Sequence, residues 1–358
     1  MTLDTVSKKI LIAPLDWGLG HATRCIPIIN EFLSRGWEVQ IASNGDALTL
    51  LKREFPGCKF YELADYKARY PVQLPFMVKI LVQMPKFLRA IRKEHQQIDR
   101  IVREQEIDLL ISDNRYGCWS AQIPSVLITH QVNVPMSAQW KWIRGIINYR
   151  NHRQIRKFRE CWVPDFPNGI TGNMTQPGVP KMKYIGMLSR FKKHHVSMKR
   201  EILFLISGPE QQRSIFEEKI NEQIRKTGYQ SYLIVKGKPH ATDECDSNEV
   251  NHLTSVELND AIESSQVIIS RPGYTTVMDL CKLGKKAIFI PTPGQAEQEY
   301  LALQLAKDSV ALYQQQKDFD LVLALSKSKE YRGFDGYPQS SNLLADAIDS
   351  LLTLHFSS

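Results

Sequence analysis

The stretch from Ser270 to Asp279 carries the residue types best suited to binding an anion. A short apolar run, Val267 to Ile269, precedes the Pro272-Gly273 turn, and two threonines follow it. This order predicts a strand, a tight turn and the start of a helix. The first backbone N–H groups of a helix have no carbonyl partner within the helix, so they can bind a phosphate. The expected anion site comprises Arg271, Gly273, Tyr274 and Thr275.

Three further polar residues are predicted beside this anion site. Asp279 lies on the predicted helix, and Gln298 and Glu299 open the helix that follows the next apolar strand, Ala287 to Pro291. A nucleotide sugar suits this arrangement, because its phosphates bind a helix start and its ribose hydroxyls donate to a carboxylate. The stretch is therefore expected to bind a nucleotide-sugar donor.

A comparable series of elements stands near the N-terminus. Lys9 to Pro14 is a continuous apolar run typical of a buried parallel strand, and Trp37 to Ser43 predicts the next strand. Between them lie the turn glycines Gly18 and Gly20, then His21 and an amphipathic helix. Strand, helix and strand in this order form a βαβ unit, which indicates a doubly wound α/β domain.

Polar residues follow two more predicted strands in this half of the chain. Asp113 follows the strand Asp108 to Ser112, and His130 and Gln131 follow the strand Pro124 to Ile128. In an open parallel sheet, ligands bind at the carboxyl ends of the strands. These residues and the glycine loop before the first helix are therefore expected to converge on one wall of a substrate cleft.

His21 is the first choice for a catalytic base in this wall, because an imidazole titrates near neutral pH. Its alternative role is to cap the helix start. Asp113 is the competing base, although a carboxylate near Arg115 also suits a structural ion pair. His130 and Gln131 are candidates for orienting an acceptor, and strand-end residues satisfied by the backbone are an equal alternative.

The length and composition allow two domains of ordinary size. The chain has 358 residues, of which 43% are hydrophobic. The expected architecture is α/β, with two Rossmann-like doubly wound domains facing across a cleft. The predicted divisions are residues 1–165 for the acceptor side, 166–183 for a linker, 184–335 for the nucleotide-sugar side and 336–358 for a C-terminal helix that packs back on the N-terminal domain.

The charge, the cysteine content and the hydrophobicity indicate the kind of partner and the cellular compartment of the protein. A formal charge of +8 favours an anionic partner. The 6 cysteines include no Cys-x-x-Cys pair, which indicates reduced thiols and argues against a zinc site. Met1 to Lys9 does not have the pattern of a signal peptide, and no apolar run reaches the length of a membrane span. A cytoplasmic protein is expected.

Two segments mix apolar and basic residues, Phe76 to Ile91 and Trp140 to Tyr149. A helix of this kind either packs its apolar face into the core, which is the favoured interpretation of the first segment, or presents it to an anionic bilayer. The second interpretation predicts peripheral contact at the inner face of the membrane. Nucleic acid is not expected as a partner, because no predicted element forms a platform for stacking bases.

No metal or other cofactor is expected. The sequence has no Asp-x-Asp at a strand end, and Asp243 to Asp246 has the pattern of a solvated turn. A leaving diphosphate can instead be stabilised by helix starts at Gly208 and Gly273, aided by Arg213 or Arg271.

The sequence resembles the GT-B glycosyltransferases. Its C-terminal half resembles the peptidoglycan UDP-N-acetylglucosamine transferases, which convert lipid I to lipid II, and their wider relatives. The resemblance rests on Ser270 to Asp279, on Gly284 and Pro291 at the expected spacing, and on Gln298-Glu299-Tyr300.

The resemblance implies that Asp279, Gln298 and Glu299 contact the donor. Asp279 and Glu299 depart from the commoner Glu and Gln, which is compatible with ribose binding at the first position and with a different sugar at the second. In the family, a Gly-rich loop ending in a reaction-centre His stands where this chain has Gly18 to His21. Another Gly-rich loop that meets the donor phosphates stands at Ser207 to Pro209.

The expected function is the transfer of a sugar from a UDP-linked nucleotide-sugar donor to a hydroxyl acceptor. The expected reaction is inverting and independent of metal, and a lipid-linked acceptor or a cell-envelope glycan suits the membrane interpretation. Two alternatives remain open at this point. One is a non-hydrolysing UDP-sugar epimerase, which needs no acceptor, and the other is a non-catalytic protein that binds nucleotide sugars or polyanions.

Overall fold

The computed structural model describes residues 7–66, 76–136, 142–208, 210–238, 241–337 and 342–356, with the backbone alone at 76–84. The chain folds as two compact units, Met1–Leu188 together with Ser340–Ser358, and Ser189–Gln339. Within the described ranges, no helix is long and apolar enough to cross a bilayer.

The first unit alternates strands and helices. Its elements in chain order are β1 (Lys9–Pro14), α1 (Leu19–Ser34), β2 (Glu38–Ser43), α2 (Gly45–Glu54), β3 (Lys59–Glu62), α3 (Phe76–Gln105), β4 (Leu109–Asp113), β5 (Ser125–Ile128), α4 (Arg144–Ile155), β6 (Glu160–Val163) and β7 (Met182–Tyr184). The described strands form a parallel sheet in the order β3-β2-β1-β4-β5-β6-β7. β1 is buried from Ile10 to Pro14, which explains why its sequence is continuously apolar rather than alternating.

The second unit repeats the same kind of alternation. Its elements are β8 (Arg200–Leu205), α5 (Glu210–Thr227), β9 (Tyr232–Val235), β10 (Glu249–Val250), α6 (Ser255–Glu263), β11 (Ser265–Ser270), α7 (Tyr274–Leu283), β12 (Lys286–Phe289), α8 (Ala296–Lys307), β13 (Leu312–Tyr313) and α9 (Leu321–Ser328). The described strands form a second parallel sheet in the order β10-β9-β8-β11-β12-β13. The α/β prediction is therefore confirmed, with one doubly wound sheet in each unit.

The boundary between the units differs from the predicted one. β7 pairs with β6 in the first sheet, so residues 166–183 lie within the first unit and are not a linker. The last helix, α10 (Leu343–Phe356), also belongs to this unit. Phe356 packs edge-on against Trp37 with ring centroids 5.4 Å apart, and Asp349 forms an ion pair with Arg35.

In each sheet there is one point at which successive strands stop being added toward one edge and start being added toward the other edge. In the first sheet this switch point lies between β1 and β4, and in the second it lies between β8 and β11. Crevices outside the carboxyl ends of strands at such points are the usual ligand sites of doubly wound folds. Each unit therefore offers one favoured location for a site.

Candidate functional site

The first site lies at the switch point of the first unit. α1 begins at Leu19, so Gly20 and His21 lie in its first turn and not in a loop as predicted. Gly18 precedes the helix with a φ of 95°, a left-handed value that favours glycine. Asp113 ends β4, the strand next to β1, and the side chain of His21 therefore meets that of Asp113.

Asp113 is a fully buried carboxylate with a permanent cationic partner. Its Oδ2 accepts a hydrogen bond from Nε of Arg24 at 2.6 Å, and its Oδ1 pairs with Nη2 of the same guanidinium. Burial by itself raises the pKa of Asp113, but the charge of Arg24 and the contact with His21 outweigh it and lower the pKa below its ordinary value. Asp113 is therefore a poor proton acceptor at neutral pH.

Arg115, which the sequence placed beside Asp113, has a different partner. Its Nε lies 2.9 Å from Oε1 of Glu94, and both side chains are fully buried. Arg24 was missed as the partner of Asp113. The available signal was a basic residue three positions after His21, a spacing that puts both side chains on one face of the helix.

The imidazole of His21 adjoins this ion pair. Its Nδ1 lies 3.3 Å from Oδ2 of Asp113 and 2.9 Å from Nη2 of Arg24. Burial is the largest cause that lowers the pKa of His21, and the charge of Arg24 lowers it further, whereas Asp113 raises it. His21 is therefore an uncharged imidazole at pH 7, the form that can accept a proton.

The strand end after β5 contributes His130 to the same cluster. Its Nδ1 lies 3.3 Å from Nη1 of Arg24, and the side chain is buried. Gln131 continues the chain, with its backbone N–H donating to Oγ1 of Thr129 and its carbonyl accepting from Asn151. The structure thus brings His21, Asp113 and His130 together around one guanidinium.

The second site lies at the switch point of the second unit, where three loops follow adjacent strands. Gly208 follows β8 with a φ of 106°, and a Cβ built on it would lie 4.0 Å from Oγ1 of Thr292, which follows β12. Between these strands, β11 leads to Gly273, which precedes α7 without a side-chain cap. Tyr274 is buried and Thr275 half-buried in the first turn. The structure therefore confirms a helix start here without a side-chain cap, and anion binding at it stays a prediction.

Two buried hydroxyl groups stand at this edge of the sheet. Ser270 is 1% exposed and Thr292 6% exposed, and neither hydroxyl oxygen has a hydrogen-bond partner among the described residues. A buried hydroxyl without a partner costs free energy, so such groups need an explanation, such as a ligand. Sequence reasoning did not select them, although each follows an apolar strand directly.

Gln298 and Glu299 hold the loop after β12. Oε1 of Gln298 accepts from the backbone N–H of Thr292 at 2.8 Å, and Oε1 of Glu299 accepts from that of Gly294 at 2.9 Å. Both residues lie in the first turn of α8, where acceptors of this kind stabilise the incoming chain. Their first role is therefore to fix the loop that carries Thr292.

Asp279 lies in the second turn of α7 and contacts the start of the second unit. Its Oδ1 accepts a hydrogen bond from Oγ of Ser189 at 2.5 Å. Burial raises the pKa of Asp279 to about 7, while the Ser189 hydroxyl and the charge of Arg190 act in the opposite direction. Neither Ser189 nor Arg190 was selected from the sequence, because they are about 90 residues away along the chain.

The two predicted donor-binding arginines have structural contacts. Arg271 is fully buried, and its guanidinium donates to the carbonyls of Ile290 and Pro291 at 2.8 and 3.0 Å. The same group lies 4.2 Å from the ring centroid of Phe216. Arg213 donates to the carbonyl of Gly237 at 2.7 Å and pairs with Glu210. These contacts tie Arg271 to the chain that follows β12, and its role in donor binding stays a prediction.

Comparison with known proteins assigns the second unit. Residues 205–333 match the model of the Glycosyltransferase family 28 C-terminal domain. The chain is a GT-B glycosyltransferase. The fold is shown by the solved structure of Acinetobacter baumannii MurG, with a TM-score of 0.59 at 14% identity over 97% of this chain and 99% of that one.

Two curated relatives of this glycosyltransferase cover most of its length. An uncharacterized glycosyltransferase of Methanosarcina mazei is 24% identical over 323 residues, 81% of each chain. A UDP-N-acetylglucosamine–N-acetylmuramyl-(pentapeptide) pyrophosphoryl-undecaprenol N-acetylglucosamine transferase of Actinobacillus pleuropneumoniae is 22% identical over 329 residues, 88% of this chain and 87% of that one. The resemblance stated from the sequence is thereby confirmed, and neither the epimerase nor the non-catalytic alternative is favoured.

Proposed function

We propose that the glycosyltransferase moves a sugar from a UDP-linked donor to a hydroxyl acceptor by a single inverting displacement, without a metal ion. In this proposal the second unit binds the donor and the first unit supplies the base. The observation that carries it is the contact of Nδ1 of His21 with both Asp113 and Arg24, which leaves an uncharged imidazole at the switch point of the first unit.

The chemistry requires one proton transfer and one substitution at the anomeric carbon. Nε2 of His21 takes the proton of the acceptor hydroxyl as the acceptor oxygen forms its bond to that carbon. The bond from the same carbon to the donor diphosphate breaks, and the nucleoside diphosphate leaves with the electron pair. Asp113, held ionised by Arg24, stabilises the imidazolium that results.

The second unit offers matching groups for the donor. The first turn of α7 and the loop at Gly208 provide N–H groups for the diphosphate, and the buried hydroxyls of Ser270 and Thr292 provide donors beside them. Asp279 accepts from the ribose hydroxyls in place of Ser189. A negative developing charge on a leaving diphosphate is stabilised best by such fixed donors in a site that excludes water.

The sugar is proposed from the Actinobacillus relative, whose name specifies UDP-N-acetylglucosamine. Gln298 and Glu299, fixed against the loop after β12, are the side chains we propose to contact it. A carboxylate at Glu299 accepts hydrogen bonds only, so it selects a sugar that presents hydroxyl or amide N–H groups.

A donor titration in EDTA tests the proposal. UDP-N-acetylglucosamine, other UDP-sugars and UDP are added to the purified protein, and binding is followed by calorimetry. We expect binding that Asp279→Ala weakens, followed by sugar transfer only when an acceptor is added. Isomerisation of the donor without acceptor would identify an epimerase instead. Absence of binding, or binding unchanged in Asp279→Ala, would remove the donor assignment.

The acceptor is proposed to be lipid-linked because of an exposed surface on the first unit. Trp142, Ile146 and Tyr149 are 77%, 60% and 66% exposed, and their i, i+4, i+7 spacing puts them on one face at and before α4. From Trp142 to Arg159 the chain has six basic and no acidic residues. An exposed apolar face with basic neighbours suits peripheral contact with an anionic bilayer.

Part of the predicted membrane surface lies outside the described residues. The structure does not describe Trp140 and Lys141, nor the side chains of Phe76 to Met84. The proposal therefore rests on the segment from Trp142 onward. Leu88, 45% exposed on α3, is a further apolar residue of the other predicted segment.

A further inference from the structure

Arg24 occupies the centre of the buried network in the first unit. Its side chain is 2% exposed, and its guanidinium contacts both oxygens of Asp113. The same group lies 2.9 Å from Nδ1 of His21 and 3.3 Å from Nδ1 of His130. Three elements of the fold, α1, β4 and the end of β5, therefore meet at one cation.

Nδ1 of His21 has two neighbours with opposite requirements. A guanidinium only donates, so the contact with Arg24 requires a lone pair on Nδ1 and places the ring proton on Nε2. A carboxylate only accepts, so the contact with Asp113 requires a proton on Nδ1 and leaves the lone pair on Nε2. The distances are 2.9 Å to Arg24 and 3.3 Å to Asp113, which favours the form with the proton on Nε2 in this structure.

The charge of Arg24 has a second effect on the ring. A buried carboxylate next to a histidine ordinarily attracts a proton onto it, which would turn the base into an imidazolium before the reaction. Arg24 offsets the charge of Asp113 through two contacts and so weakens that attraction.

We propose that Arg24 is a positioning residue that keeps the His21 ring uncharged and selects the ring nitrogen that carries its proton. This rests on the proposed function, in which Nε2 of His21 accepts the proton of the acceptor hydroxyl. The form of His21 that can act as the base arises when the ring proton moves from Nε2 to Nδ1. The Nδ1 N–H then donates a hydrogen bond to Asp113, while Arg24 keeps its contacts with that carboxylate. Arg24 thus holds the ligand-free enzyme in the form that cannot accept a proton at Nε2.

Besides Arg24, the charged or titratable groups that act on His21 are Asp113 on β4 and His130 after β5. Cys25 on α1 contacts Asp113, with its Sγ 3.8 Å from Oδ2 of that carboxylate. Burial raises the pKa of the Cys25 thiol well above its ordinary value, so Cys25 stays uncharged throughout the neutral range.

The test is a titration of the His21 ring by NMR in the intact protein labelled at histidine, with the His21 signal assigned by its loss in His21→Asn. In the wild type we expect an uncharged ring at pH 7 with its proton on Nε2. Arg24→Gln leaves Asp113 unbalanced, so the titration midpoint of His21 should rise by about 1 to 3 pH units. Asp113→Asn leaves Arg24 unbalanced, so the midpoint should fall below that of the wild type.

Matched variants keep the test decisive if one protein fails to fold. Arg24→Lys retains the charge and should shift the midpoint less than Arg24→Gln. The double variant Arg24→Gln/Asp113→Asn removes both charges and should titrate between the two single variants. An unchanged midpoint in Arg24→Gln and in Arg24→Lys, or shifts of the same sign in Arg24→Gln and Asp113→Asn, would overturn the inference.

The NMR readout separates this inference from the proposed function. If the midpoints move as expected but His21→Asn retains full transfer activity, the base assignment fails and the role of Arg24 in the ring's protonation stands. If both hold, the acidic limb of kcat/KM should move to higher pH in Arg24→Lys together with the NMR midpoint, because a higher pKa delays formation of the base.

Discussion

Oγ of Ser189 donates a 2.5 Å hydrogen bond to Oδ1 of Asp279. Ser189, the first residue of the second unit, therefore binds the carboxylate that we propose accepts hydrogen bonds from the donor ribose. A ribose hydroxyl that binds there has to replace Ser189. The carboxylate also has to be ionised to accept from both ribose hydroxyls, and its pKa of about 7 makes that pH-dependent.

Donor affinity is therefore expected to rise with pH through about 7. Below this pH the affinity for UDP-N-acetylglucosamine should fall about tenfold per pH unit, because binding has to remove the proton. A UDP-sugar is the right probe, because its diphosphate is esterified at both ends and does not titrate in this range. Calorimetry between pH 5.5 and 8.5 measures the effect, and Asp279→Asn should bind more weakly with no pH dependence. A flat profile in the wild type would exclude Asp279 from the donor contact.

Asp279 gives the stability of the ligand-free protein the opposite pH dependence, because its contribution falls as the pH rises. Because its pKa is raised on folding from the ordinary 3.8, its contribution to stability is fully present below that value and is lost as the pH rises through about 7. Added donor should therefore increase Tm more at pH 8 than at pH 6, since the ligand favours the ionised form.

Thr292→Val is expected to separate binding from stability. Valine keeps the shape of threonine, and Oγ1 of Thr292 has no partner among the described residues, so its loss should leave Tm unchanged or raise stability by about 1 kcal/mol. Donor affinity should nevertheless fall about tenfold if the hydroxyl contacts the diphosphate. Ser270→Ala is the matched variant on β11. Equal donor affinity in wild type and Thr292→Val would show that the hydroxyl does not face the ligand.

His21→Ala is expected to reduce the rate of sugar transfer by about 10² to 10⁴, the usual contribution of a general base. The dissociation constant of the donor should not change, because the proposed donor contacts all lie in the second unit. Single-turnover kinetics and calorimetry measure the two quantities. His194→Ala removes an exposed imidazole bound to Asp260 and serves as the control, with wild-type kinetics expected. Loss of donor affinity in His21→Ala, with little effect on the transfer step, would contradict the assignment.

The wild-type protein is expected to float with anionic vesicles at low salt. Replacing Trp142, Ile146 and Tyr149 by serine should abolish flotation, because the apolar face is lost. Replacing Arg150 and Arg153 by alanine should weaken partitioning by about 2 kcal/mol, since each basic residue near an anionic surface contributes about 1 kcal/mol. The control is Val256→Ser/Val322→Ser, which removes two exposed apolar side chains from the second unit. A wild-type protein that stays in the soluble fraction would remove the membrane proposal.

The sequence alone predicted most of the elements and the strand ends at which both candidate sites lie. Continuous apolar runs such as Ile10 to Pro14 indicate strands buried on both faces, and local order placed Gly273 and Tyr274 at a helix start. Parallel strands bring their carboxyl ends to one edge, so the convergence of His21, Asp113 and His130 could be inferred before any contact was known. These features depend on periodicity and on neighbours close in the chain.

Only the tertiary structure decided which charge meets which partner. Arg24 pairs with Asp113 across 89 residues, Arg115 pairs with Glu94, and Arg271 turns into the core, and the residues beside each arginine in the chain do not indicate these partners. A guanidinium can reach several places from one backbone position, and burial selects the partner that leaves the fewest polar groups unsatisfied. The same reason explains why Ser189, distant in the chain, holds Asp279.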